Sequence, residues 1–433
     1  MPAGAGRERQ LTREPHGHIL TNAGCWSPDG QWIVFDTRPD KAGEVFDGAT
    51  IEAVHVSTGE VRVLHESRNG ARCGVVTHSP VDSRVVFIEG PEHPTPDWSY
   101  GPFHRQGVIV DRERPGEARV LDARDVVPPF TPGALRGGSH VHVFSPDGQW
   151  VSFTYEDHVL AQLPDDGGAH DINLRTIAVS VPAGPVRVPR THPRNHDGEF
   201  YSVVVARVVA RPRRGSDEVK KACEEGWVGV DGYMRADGSR QSRALAFQGT
   251  VVSPAGEDVV EVFVVDLPDD VSVPGDGPLC GTPARAPFPP CGCAQRRLTF
   301  TTGRKFPGIQ GPRHWLRCSP DGSRIAFLMK DDDGVAQLWT ISPTGGEPMQ
   351  VTHSAWPIAS AFTWSPDGRL IAHVMDGSVC VTDARSGETT RLTTRDDSGS
   401  APRPEACVFA PDGRSIAFAR HVEGWNQVFV VEV

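Results

Sequence analysis

Two histidines one residue apart, His140 and His142 in GGSHVHVFSPDG, carry the strongest chemical signal in the sequence. On an extended strand residues i and i+2 share a face, so this spacing turns both imidazoles toward one point. His314 in PRHWLR, with Glu405, His18 or His196, would complete a three- or four-ligand site. Imidazole plus oxygen donors suit a divalent ion such as Zn, Mn, Fe or Ni, with a position left open for substrate. The plainer reading is that these histidines hydrogen-bond one another and water, since imidazole serves both roles. Cationic groups stand beside the same residues: Arg136 precedes the Gly-Gly-Ser-His run, Arg313 abuts His314, and Arg194 lies in HPRNHDG. An Arg fork takes a carboxylate through two parallel bonds, although exposed loop arginines are often merely solvated. The set predicts proton abstraction α to a carboxylate, as in β-elimination or epimerisation of a small or oligomeric anionic substrate. In that reaction Arg136 or Arg313 orients the carboxylate, His18 or His196 acts as base, and the metal stabilises the enolate-like charge. Hydrolysis by a metal-bound water would use the same residues.

The elements that must position these groups are repeats. CWSPDGQWIVFDT begins at Cys25, FSPDGQWVSFTYE at Phe144, CSPDGSRIAFLMK at Cys318, WSPDGRLIAHVMD at Trp364 and FAPDGRSIAFARH at Phe409, with a weaker copy at Thr77. Pro presets φ, Asp bonds its own backbone and Gly supplies positive φ, so each copy is a hairpin between two apolar strands. A third and fourth strand follow several copies, most clearly over 336–352 and 379–393. Four strands repeating at roughly 40 to 50 residues is a propeller signature, which a β-sandwich would not reproduce. We therefore expect an all-β, seven-bladed propeller in one domain, with blades starting near 16, 68, 134, 194, 308, 356 and 401. The last blade runs out of chain after three strands, and RQLT (Arg9 to Thr12) is expected to complete it, leaving no free sheet edge. Insertions are expected near 211–245 and 268–293, with a short helix over Asp217 to Glu225 on its helix formers.

In such a ring the first strand of each blade lines the central channel. Six residues before each turn Pro stand Asn22, Gly74, His140, His314, Ser360 and Glu405. The fold has no need of polar groups there, yet most of these positions carry one. Other chemistries lack support: no nucleophile elbow and no phosphate-binding glycine loop is present. The acidic run Asp331 to Asp333 lacks the bidentate Glu of a calcium loop and reads as a solvated turn. Cys280, Cys291 and Cys293 cluster, but their spacing matches no common zinc site.

Composition sets outer bounds. A net charge of −11 argues against general nucleic-acid binding, which wants a basic face. Neither a secretory signal nor an apolar run of about 20 residues is visible, so a cytoplasmic protein is expected, with no membrane partner. Single cysteines inside strand-like runs read as small buried hydrophobes in a reducing compartment.

The SPDG repeats resemble the propeller of TolB and its relatives. As a set, GGSHVHVFSPDG, GSDEV, EEGWVG, QRRLTFT, PRHWLR and AFLMKDDDGVAQLWTISPTGGEP resemble an uncharacterised bacterial family of TolB-like propellers, over nearly the whole chain. More distantly the chain is similar to oligogalacturonate lyase, a seven-bladed propeller that holds a divalent metal, often Mn, with histidines and a Gln. That likeness implies a metal at His140, His142 and His314, and brings over neither the Gln ligand nor the base. A second class of function is a non-catalytic propeller that docks a protein or peptide, for which Trp98, Tyr100 and Phe103 in DWSYGPFHR would supply an apolar patch.

Overall fold

The computed structural model describes residues 7–433 except 23, 42, 44 and 165–169. Seven four-stranded antiparallel sheets are arranged as blades, and one extra two-stranded hairpin stands beside them. The innermost strands are Gly17–Ile19, Cys73–His78, Gly137–Phe144, Lys221–Trp227, Arg317–Cys318, Thr363–Trp364 and Pro402–Phe409. The ring closes as expected: Glu8–Gln10 pairs with the final strand, Glu8 opposite Val431 and Gln10 opposite Phe429. Leu11 N–H then donates to the Val428 carbonyl, and the Arg420 guanidinium clasps Glu8 at 2.7 Å.

The repeated turn has a closed bonding scheme that explains its sequence. Ser27 Oγ donates to Asp29 Oδ1 and accepts from the Trp32 N–H at 2.9 Å, while the same Asp oxygen accepts from Gln31 N–H. Ser145/Asp147, Ser319/Asp321 and Ser365/Asp367 repeat the pattern. Second strands are buried on both faces, as in Ile33–Phe35 and Val85–Ile88, because every blade is covered by two neighbours. These contacts form the apolar layers between blades. All nine cysteines are free, and five of them (Cys25, Cys73, Cys223, Cys380 and Cys407) are buried. Among the described residues no helix is long and apolar enough to cross a membrane.

Blade four departs from the expectation. The segment near 194 belongs to blade three, whose outermost strand is Tyr201–Val204. Blade four begins at Lys221–Trp227, inside the segment read as an insertion, and that strand replaces the expected helix over 217–225. Helix formers yield here because Ala222, Cys223 and Glu225 are buried between blades, where strand pairing with Ala244–Val252 satisfies the backbone. The rest of 211–245 carries the Tyr233–Met234/Arg240–Gln241 hairpin. Residues 268–293 connect the third and fourth strands of the blade as a long excursion. Among the described residues the one helix is short, His158–Ala161, capped by Asp157.

Candidate functional site

A cavity of about 420 Å³ opens on the channel axis at the end away from the SPDG turns. Blades one, two, three, five and seven all contribute, through Asn22, Asp36, Arg38, Val75, His140, Val141, Arg313, Trp315 and Glu405 among others. Buried polar atoms without a hydrogen-bond partner converge here, among them Asn22 Nδ2, His140 Nδ1, Trp315 Nε1 and Glu405 Oε2. Buried polar groups are normally satisfied, so unspent donors and acceptors converging on one cavity indicate a ligand site. Arginine–carboxylate pairs surround it: Arg38–Asp36 at 2.8 Å, Arg403–Glu405 at 2.8 Å, Arg313–Glu224 at 3.0 Å and Arg175–Glu156 at 2.8 Å. Burial, then the charges of Arg105, Arg313 and Arg175, hold the His140 imidazole well below its ordinary pKa, so it is neutral with a free lone pair at neutral pH.

The innermost strand of blade three is bulged. His140 pairs with Thr154 and Val143 with Ser152, so Val141 and His142 together oppose Phe153, and Val141 adopts φ +56°. Blades two and four repeat the device, with Val75 at φ +57° and Glu224 at φ +52°. Positive φ is costly for a β-branched residue, and Val75 and Val141 both line the cavity.

The bulge corrects the expected histidine cluster. His140 and His142 do not share a face: His140 lines the cavity, whereas His142 lies between blades two and three against Phe153. Both His142 nitrogens are buried without a partner, and burial drops its pKa to about 3. His314 is fully committed to backbone, Nδ1 donating to the Pro312 carbonyl at 2.9 Å and Nε2 accepting from the Leu328 N–H at 3.1 Å. Of the four expected metal ligands, only His140 and Glu405 meet in the cavity. Among the described residues no three His, Cys, Asp or Glu side chains are placed to share an ion, so the residues do not fit the expected metal.

Of the expected catalytic groups, only Arg313 reaches the cavity. His18 is buried at the seam of blades seven and one, its Nδ1 2.9 Å from the Asn426 carbonyl, stacked on His16 and with its pKa lowered to about 4 by burial. Arg136 is completely buried and locks Asp157 (2.6 Å) to the carbonyls of Thr282 and Arg285, which pins the 268–293 excursion to blade three. His196 and Arg194 line a separate cavity of about 640 Å³ beside blades one and two. Many polar groups there bind one another: His65–Glu89 at 2.7 Å, Arg194 to the Glu92 and His93 carbonyls, Arg124 to the Gly137 and Arg105 carbonyls. Of the expected aromatic patch, Trp98 is buried under His104, while Tyr100, stacked on Phe46, and Phe103 are half-buried.

The channel's other end was not anticipated. Two residues before the turn Pro stand Trp26, His78, Phe144, Cys318, Trp364 and Phe409, and they line a funnel of about 400 Å³. Trp227 of blade four joins them. Indole N–H groups of Trp26, Trp227 and Trp364 donate to the carbonyls of Val408, Val143 and Arg317 on the neighbouring blades. That period was readable from the repeats at an offset of two residues. The two ends meet at Asn22, which lines both and accepts a 2.7 Å bond from Arg317 of blade five.

Fold and channel together define a seven-bladed propeller with a polar axial chamber at one end and an aromatic funnel at the other. The profile of a family described as protein of unknown function (DUF3748) matches residues 72–196. The Escherichia coli K12 protein YidR, described as uncharacterized, is 47% identical over 421 residues, covering 96% of each chain, and the protein belongs to this YidR family. An uncharacterized Agrobacterium fabrum protein, Atu1656, is 32% identical over 27% of this chain and 38% of its own. Among solved structures, oligogalacturonate lyase in complex with manganese superimposes with TM-score 0.58 at 14% identity, covering 99% of this chain and 93% of that one. A TolB-like protein from Agrobacterium tumefaciens matches with TM-score 0.40 at 16% identity, covering 89% and 98%. At these identities the structural likeness is one of fold.

Proposed function

We propose that the polar chamber binds a small carboxylate-bearing, sugar-acid-like molecule and that His140 removes a proton α to its carboxylate. The observation that carries this reading is the convergence of unspent polar atoms from Asn22, His140 and Glu405 beside the Arg313 guanidinium. Arg313 reaches Glu224 through Nε, and its side chain is more than half exposed, so a carboxylate can take up its outer N–H groups. The Asn22 amide would donate to a hydroxyl or to the enolate-like oxygen, and Glu405 Oε2 would accept from a second hydroxyl. Charge makes the base conditional on substrate. Burial is the first cause of the neutral His140 and the cations add to it; their part is offset once an anion lies against them, which raises its proton affinity when a proton is to be taken. No step is routed through a metal, because the expected ligands are dispersed.

The test is calorimetric titration with a panel of uronic and aldonic acids, together with ultraviolet detection of a conjugated elimination product and NMR detection of epimers. His140→Ala is expected to abolish turnover while binding persists, and Arg313→Met to weaken binding at least tenfold. No acid bound by the wild type, or full turnover by His140→Ala, would overturn the proposal.

A further inference from the structure

The aromatic funnel contains one unbalanced charge. Among the described residues lining it, Arg317 is the only charged side chain. Its guanidinium donates to Asn22 Oδ1 at 2.7 Å and to the Leu316 carbonyl at 3.2 Å, both neutral acceptors. No carboxylate of the described residues pairs with it, in contrast to the arginines of the polar chamber. A guanidinium in apolar surroundings without a counter-charge is costly, and an anion that reached it would gain more than in water. The acidic group whose charge Arg317 feels is no substitute: Glu225 is completely buried between blades three and four, and burial raises its pKa to about 8, so it is uncharged at neutral pH. Arg317 stays cationic, at about 10.

We propose that the funnel is a second binding site, distinct from the polar chamber, for a small carboxylic acid with an apolar or aromatic body. The carboxylate sits on Arg317, and the body fills the ring of Trp26, Phe144, Trp227, Trp364 and Phe409. A volume of about 400 Å³ suits a ligand of this size, and a mostly apolar lining with one oriented polar anchor is the usual construction of such sites. The three indole N–H groups are already bonded to backbone, so the rings offer faces and edges rather than donors. Selectivity rests on the single cation: an alcohol of the same shape leaves it unpaired.

The experiment is calorimetric titration of the full chain with 3-phenylpropionate and with 3-phenylpropan-1-ol. The acid is expected to bind at least tenfold more tightly than the alcohol. Arg317→Met should cost the acid at least tenfold and leave the alcohol unchanged, and His140→Ala should leave both unchanged. Should Arg317→Met not fold, Trp227→Leu serves: it should weaken acid and alcohol alike, whereas unchanged binding of the acid counts against the site. Equal affinity for acid and alcohol, no binding of the acid at millimolar concentration, or loss in His140→Ala but not Arg317→Met overturns the proposal.

Discussion

Replacing Glu225 by Gln should make the protein more stable, and by an amount that depends on pH. The carboxyl is completely buried between blades, neither oxygen has a hydrogen-bond partner, and burial raises its pKa from 4.5 to about 8. A group that holds its proton more tightly folded than unfolded contributes fully below pH 4.5, and that contribution is lost as pH rises toward 8. At about 1.4 kcal/mol per pH unit, ionisation costs the wild type about 3 kcal/mol at pH 7 and about 5 kcal/mol above pH 8. Gln keeps the shape of the protonated acid and never ionises. Urea unfolding of wild type and Glu225→Gln from pH 5 to 8.5 should give nearly equal stabilities at the acid end and a variant advantage widening with pH. A difference that stays flat would mean that the folded state holds a carboxylate, in which case Glu225 would balance Arg317 and the reasoning would fail.

Two further outcomes follow from buried groups. His142→Leu should stabilise by about 1–3 kcal/mol at pH 7, since both ring nitrogens are buried without partners, and the advantage should grow by about 2 kcal/mol at pH 5. The sign follows from a folded pKa of about 3: the unfolded imidazole takes a proton below pH 6.5 and the folded one does not, as urea midpoints at the two pH values would show. Arg136→Met should cost about 3–5 kcal/mol by stranding buried Asp157, and limited proteolysis should then cut within 268–293, which has lost its tether.

Much of the ring is written in its turns. Ser, Pro, Asp and Gly each have a bonding or dihedral role in the SPDG hairpin, so six blades announce themselves and the Glu8–Gln10 closure follows from counting strands. Blade four lacks the motif, and its innermost strand is rich in helix-forming residues, which only burial between neighbours overrules. The site was legible to the same depth. Of the six positions found by counting six back from the turn Pro, Asn22, His140 and Glu405 line one cavity. Period-two alternation failed at His142 because a bulge at Val141 has no sequence signature, valine being among the least expected residues at positive φ. His314 sits at the same offset, yet its two nitrogens are used by backbone groups that no side-chain pattern reveals.

The closing strand gives the seventh blade a different history from the others. Each of the other blades gathers strands from one stretch of chain, so its strand pairing needs no distant segment. The seventh waits for partners at opposite ends: the Arg420–Glu8 clasp alone spans 412 residues. Bringing such distant segments together costs about 5 kcal/mol of chain entropy, before the strand pairs and the Thr12–Gln427 hydrogen bond offset it. Assembly of the circle should therefore come late and sense the whole chain. When the circle parts, it should part between Gln10 and Phe429, leaving a horseshoe whose seventh blade keeps the strand of Glu405 but no longer closes against Asn22 of blade one.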